Sequence, residues 1–338
     1  MILFKNIGLI VSCLLLLKAV SPAQARPMRL DISEQARLCI TEEKLAMDIE
    51  FLSDSLCAGR GAGTVGAAET ASWLQRRFAN MGLVPSGPSF QHSFAIKGGS
   101  RGRNVIGIAK GSETPAKKFI LIMASYDGLG IRGGKIYPGA DSNGSGVAAL
   151  LSLAKMMTLS RDLGREYGAD VIFAALDAKY MSFAGSNALW QELTSGALKD
   201  AQGRPIARKD IVIVMNLDQV GSSLSPLKSG RKDYIIALNG GFAGKELAQA
   251  NKSKGTGLEM SHDYYGSPDF TNVFYRRTGD HKVFAEHGMP VVLFTSGITD
   301  NNNKLTDTLE NLDLPVLKKR IYLMWNFTEK MAGIKKQG

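Results

Sequence analysis

The chain has 338 residues, of which 44% are hydrophobic and 21% charged, so it can bury a large core and is too apolar to be disordered. Its formal net charge is +10, but the basic residues fall in short, scattered clusters such as Arg276-Arg277 and Lys318-Lys319-Arg320. No arginine stripe with interleaved aromatics runs through it, which excludes nucleic acid as the expected partner and leaves solvated surface.

The first residues read as a targeting signal. Lys5 precedes an apolar run over 7–17, and Ala23-Gln24-Ala25 supplies a small-x-small cleavage site. The run is too short for a stop-transfer helix, and Cys13 sits in its middle, away from any lipid-anchor position. The expectation is a signal peptide over 1–25 and a single α/β domain over 26–338. Such a protein is exported, periplasmic or secreted, with no integral membrane segment after cleavage. Cys39 and Cys57 then form an even pair suited to an oxidising compartment; a disulfide and two buried thiols both stay open.

Residues 33–56 carry Ala36, Ile40, Leu45, Ile49 and Leu52 near helical spacing and predict a helix. Gly61, Gly63 and Gly66 satisfy G-x-G-x-x-G, but a helix and not a strand precedes them, so dinucleotide binding is rejected. A second helix is predicted over 67–81, stopped by Gly82. Short apolar runs at 105–109 and 119–124 read as strands. Between the 67–81 helix and those strands, Gly98-Gly99-Ser100-Arg101-Gly102 matches the nucleophile-elbow pattern but precedes a strand instead of following one, so it is a decoy.

The turn Pro138-Gly139-Ala140-Asp141 leads into a helix over 147–157. Strands follow at 170–176, 211–217, 234–238 and 290–294, with a helix at 182–193 and an amphipathic one at 315–331. Strands alternating with helices, several of them unbroken hydrophobic runs, predict a three-layer αβα sandwich around a mixed, mostly parallel sheet.

Ligands of open α/β sheets sit at the carboxyl ends of the strands. Asp127, Asp177 and Asp218 each follow a predicted strand, and with Asp141 they place four aspartates around one rim. So many carboxylates converging without a cation are costly, so a metal or a basic side chain belongs among them. Asp141 alone reads more simply as part of a helix cap.

Four stretches carry a family resemblance: Gly59-Arg60-Gly61-Ala62-Gly63-Thr64, Arg103-Asn104-Val105-Ile106-Gly107, the Asp141 turn, and Asn216-Leu217-Asp218-Gln219-Val220-Gly221. In this order and spacing the chain resembles the two-zinc exopeptidases that include bacterial leucyl aminopeptidases, glutamate carboxypeptidases and glutaminyl cyclases. The resemblance implies a zinc-exopeptidase fold, with Asp141 as the bridging ligand and Asp218 as a second surviving ligand position. It also implies losses. Ser125 stands where the family has its first ligand histidine, Lys179 at the general-base glutamate, Tyr180 at the ligand glutamate, and Asn303 at the last ligand histidine. Asp280-His281 is similar to a segment near the family's pocket, so Asp127, Asp177, Lys179, Tyr180, Asp280 and His281 are the expected cleft residues.

Two zincs ~3.5–4 Å apart need several N/O ligands and an open position, which Asp141 and Asp218 alone cannot supply. The expected function is therefore that of an aminopeptidase-like pseudoenzyme, inactive or strongly impaired, that binds a peptide or protein and needs no cofactor. Lys179 is expected to replace the metal charge by pairing with Asp141 or Asp218. The alternative is an active exopeptidase holding one zinc on Asp141, Asp218 and His281. A structural role with a filled cleft and a Ser125–Lys179 dyad are weaker readings; nothing supplies the dyad with oxyanion geometry.

Overall fold

A strand can be an unbroken hydrophobic run only where both of its faces are covered. The computed structural model describes residues 31–112 and 116–334. The predicted signal segment lies outside them. In chain order the first strands are β1 (Val84–Pro85), β2 (Gln91–Ala95), β3 (Arg101–Ala109) and β4 (Phe119–Ser125), then a small hairpin of β5 (Ile131–Arg132) and β6 (Lys135–Ile136). The rest are β7 (Asp170–Leu176), β8 (Ile211–Leu217), β9 (Tyr234–Leu238), β10 (Glu259–Ser261) and β11 (Val291–Thr295).

Nine of these form one sheet in the order β1-β3-β7-β4-β8-β11-β9-β10, with β2 also paired to β3. The centre is parallel, β7 and β8 flanking β4 and β11 joining β8. Antiparallel pairings of β3 with β7 and of β9 with β11 make the sheet mixed, as the sequence predicts.

Side chains alternate strictly between two cores. Val105, Ile120, Ile122, Phe173 and Met215 enter one, against helices α2 (Glu42–Ser53), α3 (Val65–Asn80), α4 (Gly146–Asp162) and α9 (Leu314–Ala332). Ile106, Leu121, Ile172 and Val214 enter the other, against α5 (Ala184–Ser195) and α8 (His281–Glu286). Each such fully buried side chain stabilises the fold by about 1.5–3 kcal/mol. A smaller cluster joins Phe274 of α7 (Pro268–Arg277) to Tyr234, Ile236 and Tyr264. α6 (Gly244–Asn251) adds Leu247 and Ala250 to the first core. The described residues from Ile32 onward form one compact unit, and none of their helices is long and apolar enough to cross a membrane.

The single helix expected over 33–56 is two, α1 (Ile32–Leu38) and α2. Thr41 interrupts them with extended backbone, and its hydroxyl accepts from Lys44 N at 3.3 Å as an N-cap. Cys39 and Cys57 are both free thiols, Cys57 Sγ donating to Phe51 O at 3.1 Å.

Candidate functional site

Three strand ends set the site. Ser125 closes β4, Asp177 follows β7 and Asp218 follows β8. The register of β4 on β7, which ends at Ser125↔Leu176, and that of β4 on β8 bring these distant positions to one sheet edge. The Asp141 turn lies in the wound segment Ala140–Ser145 ahead of α4, where the Ser142–Asn143 peptide is cis. Asn143 Nδ2 ties the turn to the strands, donating to Leu217 O at 2.8 Å and Ser125 O at 3.3 Å.

Two buried side chains clamp this turn. Arg60 Nε donates to Tyr126 O at 2.7 Å, and its terminal nitrogens reach Pro138 O and Gly139 O, each at 2.8 Å, and Leu52 O. Burial pushes its pKa down, yet four carbonyls occupy the guanidinium fork. Asp307 accepts from Asp141 N at 2.7 Å and from Ser142 N and Oγ at 3.1 and 2.6 Å. Arg60 lies within a family-like segment, but nothing local in the sequence marks either residue as a clamp.

Asp141 is 2% exposed and commits both carboxylate oxygens to protein donors. Its Oδ1 accepts from Ser145 Oγ at 2.7 Å and Gly221 N at 2.8 Å. Its Oδ2 accepts from Gln219 Nε2 and Ser222 N, both at 3.2 Å, and from Ser222 Oγ. A Cβ at Gly221 would stand 2.8 Å from Asp141 Oδ1, so only glycine lets that N–H come so close.

The loop after β7 turns at Ala178, a non-glycine residue in the left-handed region at φ 59°, and so carries the next two side chains across the sheet edge. Lys179 Nζ donates to Asp218 Oδ2 at 2.6 Å, with the two side chains 17% and 10% exposed. Burial works against the ammonium, but the Asp218 carboxylate outweighs it and holds Lys179 above the usual lysine range. Beside it the Tyr180 hydroxyl donates to Asn303 Oδ1 at 2.6 Å. Among the described residues Ser125 Oγ has no hydrogen-bond partner and Lys179 belongs to Asp218, so no serine–lysine dyad forms.

Four of the expected cleft residues lie behind the cleft instead of in its wall. Asp127, Asp177 and Asp280 are at most 1% exposed, and burial is the main force raising the pKa of each. Asp177 is bonded to Ala178 N at 2.7 Å and Arg103 N at 3.0 Å. Asp127 Oδ2 accepts from Tyr180 N at 3.3 Å, while its Oδ1 meets no donor among the described residues. Asp280 is pushed up to about 6, with nearby Lys179 pulling the other way. His281 is fully buried and pushed down to about 4 by burial, so it is neutral at pH 7. Its Nε2 meets Tyr275 O at 2.5 Å and its Nδ1 meets Asn216 Nδ2 at 3.4 Å, so both ring nitrogens are engaged.

Lys179, Tyr180 and Asp218 do face a cavity of about 330 Å³, together with Asn303, Phe183 and Phe274. The cleft is open, and its own side chains do not fill it.

An αβα sandwich with loop-borne carboxylates at the ends of its central parallel strands has the architecture of a zinc exopeptidase. Residues 104–328 match the model of peptidase family M28, and the chain belongs to that family. Its fold is similar to that of the LapA aminopeptidase of Legionella pneumophila, at 16% identity and a TM-score of 0.66 over 90% of this chain and 75% of that one. An aminopeptidase from Aneurinibacillus sp. strain AM-1 is similar at 14% identity and a TM-score of 0.62, over 90% of this chain and 97% of that one. A glutaminyl cyclase of Porphyromonas gingivalis follows at 17% identity and a TM-score of 0.60, over 86% and 98% of the two chains.

The zinc pair that this fold implies does not fit the residues present. Among the described residues no group of three or more His, Cys, Asp or Glu side chains is placed to hold a metal ion. Asp141 is saturated by protein donors, Asp218 carries an ammonium at 2.6 Å, and Tyr180 and Asn303 bond each other.

Proposed function

We propose that this chain is an exported M28-family pseudopeptidase, inactive or strongly impaired, that binds peptides in its cleft without hydrolysing them. The observation that carries this reading is the Lys179–Asp218 pair at 2.6 Å. It puts an ammonium at the general-base position and against a ligand position. A protonated lysine cannot take a proton from water. Among the described residues no ligand group is placed to hold the zinc that would polarise a peptide carbonyl or lower the pKa of a water. The open cavity, with Phe183 and Phe274 in its walls, supports retained binding.

In this reading the signal peptide over 1–25 is removed, the single domain over 26–338 acts outside the cytoplasm, and no cofactor is required. The engaged ring nitrogens of His281 and the saturated carboxylate of Asp141 weigh against a single-zinc exopeptidase. The test is elemental analysis of the purified mature protein together with an aminoacyl-p-nitroanilide assay. Stoichiometric zinc or manganese, with release of amino acids that a chelator stops, would sink the proposal.

A further inference from the structure

The polar wall of the cleft presents donors. Lys179 is neutralised by Asp218, the carboxylate in the same lining. Arg277, at the end of α7, also lines the cavity, is exposed, and has no hydrogen-bond or ion-pair partner among the described residues. Asn303 lines it too, with its amide oxygen already taken by the Tyr180 hydroxyl, which donates to Oδ1 at 2.6 Å. That bond leaves its Nδ2 as the free, donating end of the amide. Asn302 is spent on the Asp141 turn, where its amide meets Ser142 Oγ at 2.8 Å. One unneutralised guanidinium and one free amide donor thus share a cavity with Phe183, Phe274 and Ile298.

Donors without a competing free carboxylate fit an anion, and the planar guanidinium fork fits a carboxylate in particular. Inorganic anions would leave the apolar wall uncovered. The volume, about 330 Å³, lies at the small end of ligand cavities and suits a chain terminus better than the middle of a peptide. Resting on the peptide-binding reading above, we infer that the cleft recognises the C-terminal residue of a peptide. Its free carboxylate lies on Arg277 and the Asn303 amide, and its apolar side chain between Phe183, Phe274 and Ile298.

The test is calorimetric titration of the mature protein with acetyl-Ala-Leu, its carboxamide, free leucine and inorganic phosphate. The acid is expected to bind at least tenfold more tightly than the amide and the phosphate, and more tightly than leucine. Arg277→Gln should bring the acid down to the level of the amide, and Arg277→Lys should retain part of the difference. Arg277 is exposed, so an unchanged melting temperature shows that both variants fold. Equal binding of acid and amide overturns the carboxylate assignment and leaves the peptide-binding reading standing. Leucine or phosphate binding as tightly as the acid overturns the peptide terminus as the ligand. If neither peptide binds, the peptide-binding reading fails and the inference with it.

Discussion

The ammonium of Lys179 and the carboxylate of Asp218 meet at 2.6 Å from the ends of β7 and β8, the two strands that flank β4. Both side chains are mostly buried, so their mutual attraction is only weakly screened. Lys179→Met leaves the Asp218 carboxylate without its cation and is expected to cost about 3 kcal/mol, the low end for a broken buried pair because some solvent reaches it. Lys179→Glu should cost more. Adding Asp218→Asn to Lys179→Met should restore much of the loss, which urea unfolding of the three variants measures. With the folded-state pKa of Lys179 raised, the pair's contribution is complete below the ordinary lysine range and fades only as pH rises through the higher folded value. The gap between wild type and Lys179→Met should therefore stay constant from about pH 6 to 9. A Lys179→Glu protein as stable as wild type would show that the pair is not holding the site.

Asp280 and His281 give opposite pH dependences in neighbouring residues. Asp280, raised to about 6, favours the fold while protonated, so its contribution is present below its unfolded pKa and lost as pH rises through about 6. His281, lowered to about 4, favours the fold while neutral, so its contribution is present above its unfolded pKa and lost as pH falls through about 4. Each amounts to roughly 3 kcal/mol at most, and the two largely cancel between about pH 4 and 6. Asp280→Asn should uncover the histidine limb, giving a protein whose stability rises with pH across that window. His281→Asn should do the reverse. Denaturation midpoints collected at half-unit pH steps test this, and a slope unchanged in both variants would refute it.

Arg60 donates to four carbonyls on segments that include the Asp141 turn. Replacing it with Met strands those acceptors in the interior, at about 1–3 kcal/mol for each one that water cannot reach. A loss of at least ~3 kcal/mol is expected. Arg60→Lys should recover little of it, because a single ammonium cannot follow the planar fork. Thermal unfolding of the two variants decides the point.

If no metal is bound, dialysis against a chelator leaves the melting temperature within about 1 °C, and a hundredfold excess of zinc over micromolar protein does not raise it. A native-state site filled at 100 times its Kd would add about 2.7 kcal/mol, well within reach of calorimetry. A chelator-dependent fall of several degrees would count against the proposed function.

The cores of β4, β7, β8 and β9 were legible because unbroken Val/Ile/Leu/Phe runs of strand length are compatible with little else in an α/β chain. α7 is absent from the expected elements although Ser267-Pro268-Asp269 is a helix-start signature, and Ser267 Oγ does accept from Phe270 N at 3.3 Å. β10 and β1 are too short and too mixed to carry a period, since pairing with a neighbour decides them and not their own pattern.

The residue identities, by themselves, determined the fold class and the family likeness, because those depend on residue type and order along one chain. Only the tertiary structure decided that Lys179 pairs with Asp218 and not Asp141, that Asp141 turns to Gly221 and Ser222, and that His281 stands behind the cleft. Those outcomes depend on the direction of side chains carried by loops such as the left-handed turn at Ala178, and on strand registers between segments far apart in sequence. A hydrogen bond is settled by tenths of an ångström in three dimensions, and spacing along the chain carries no such information.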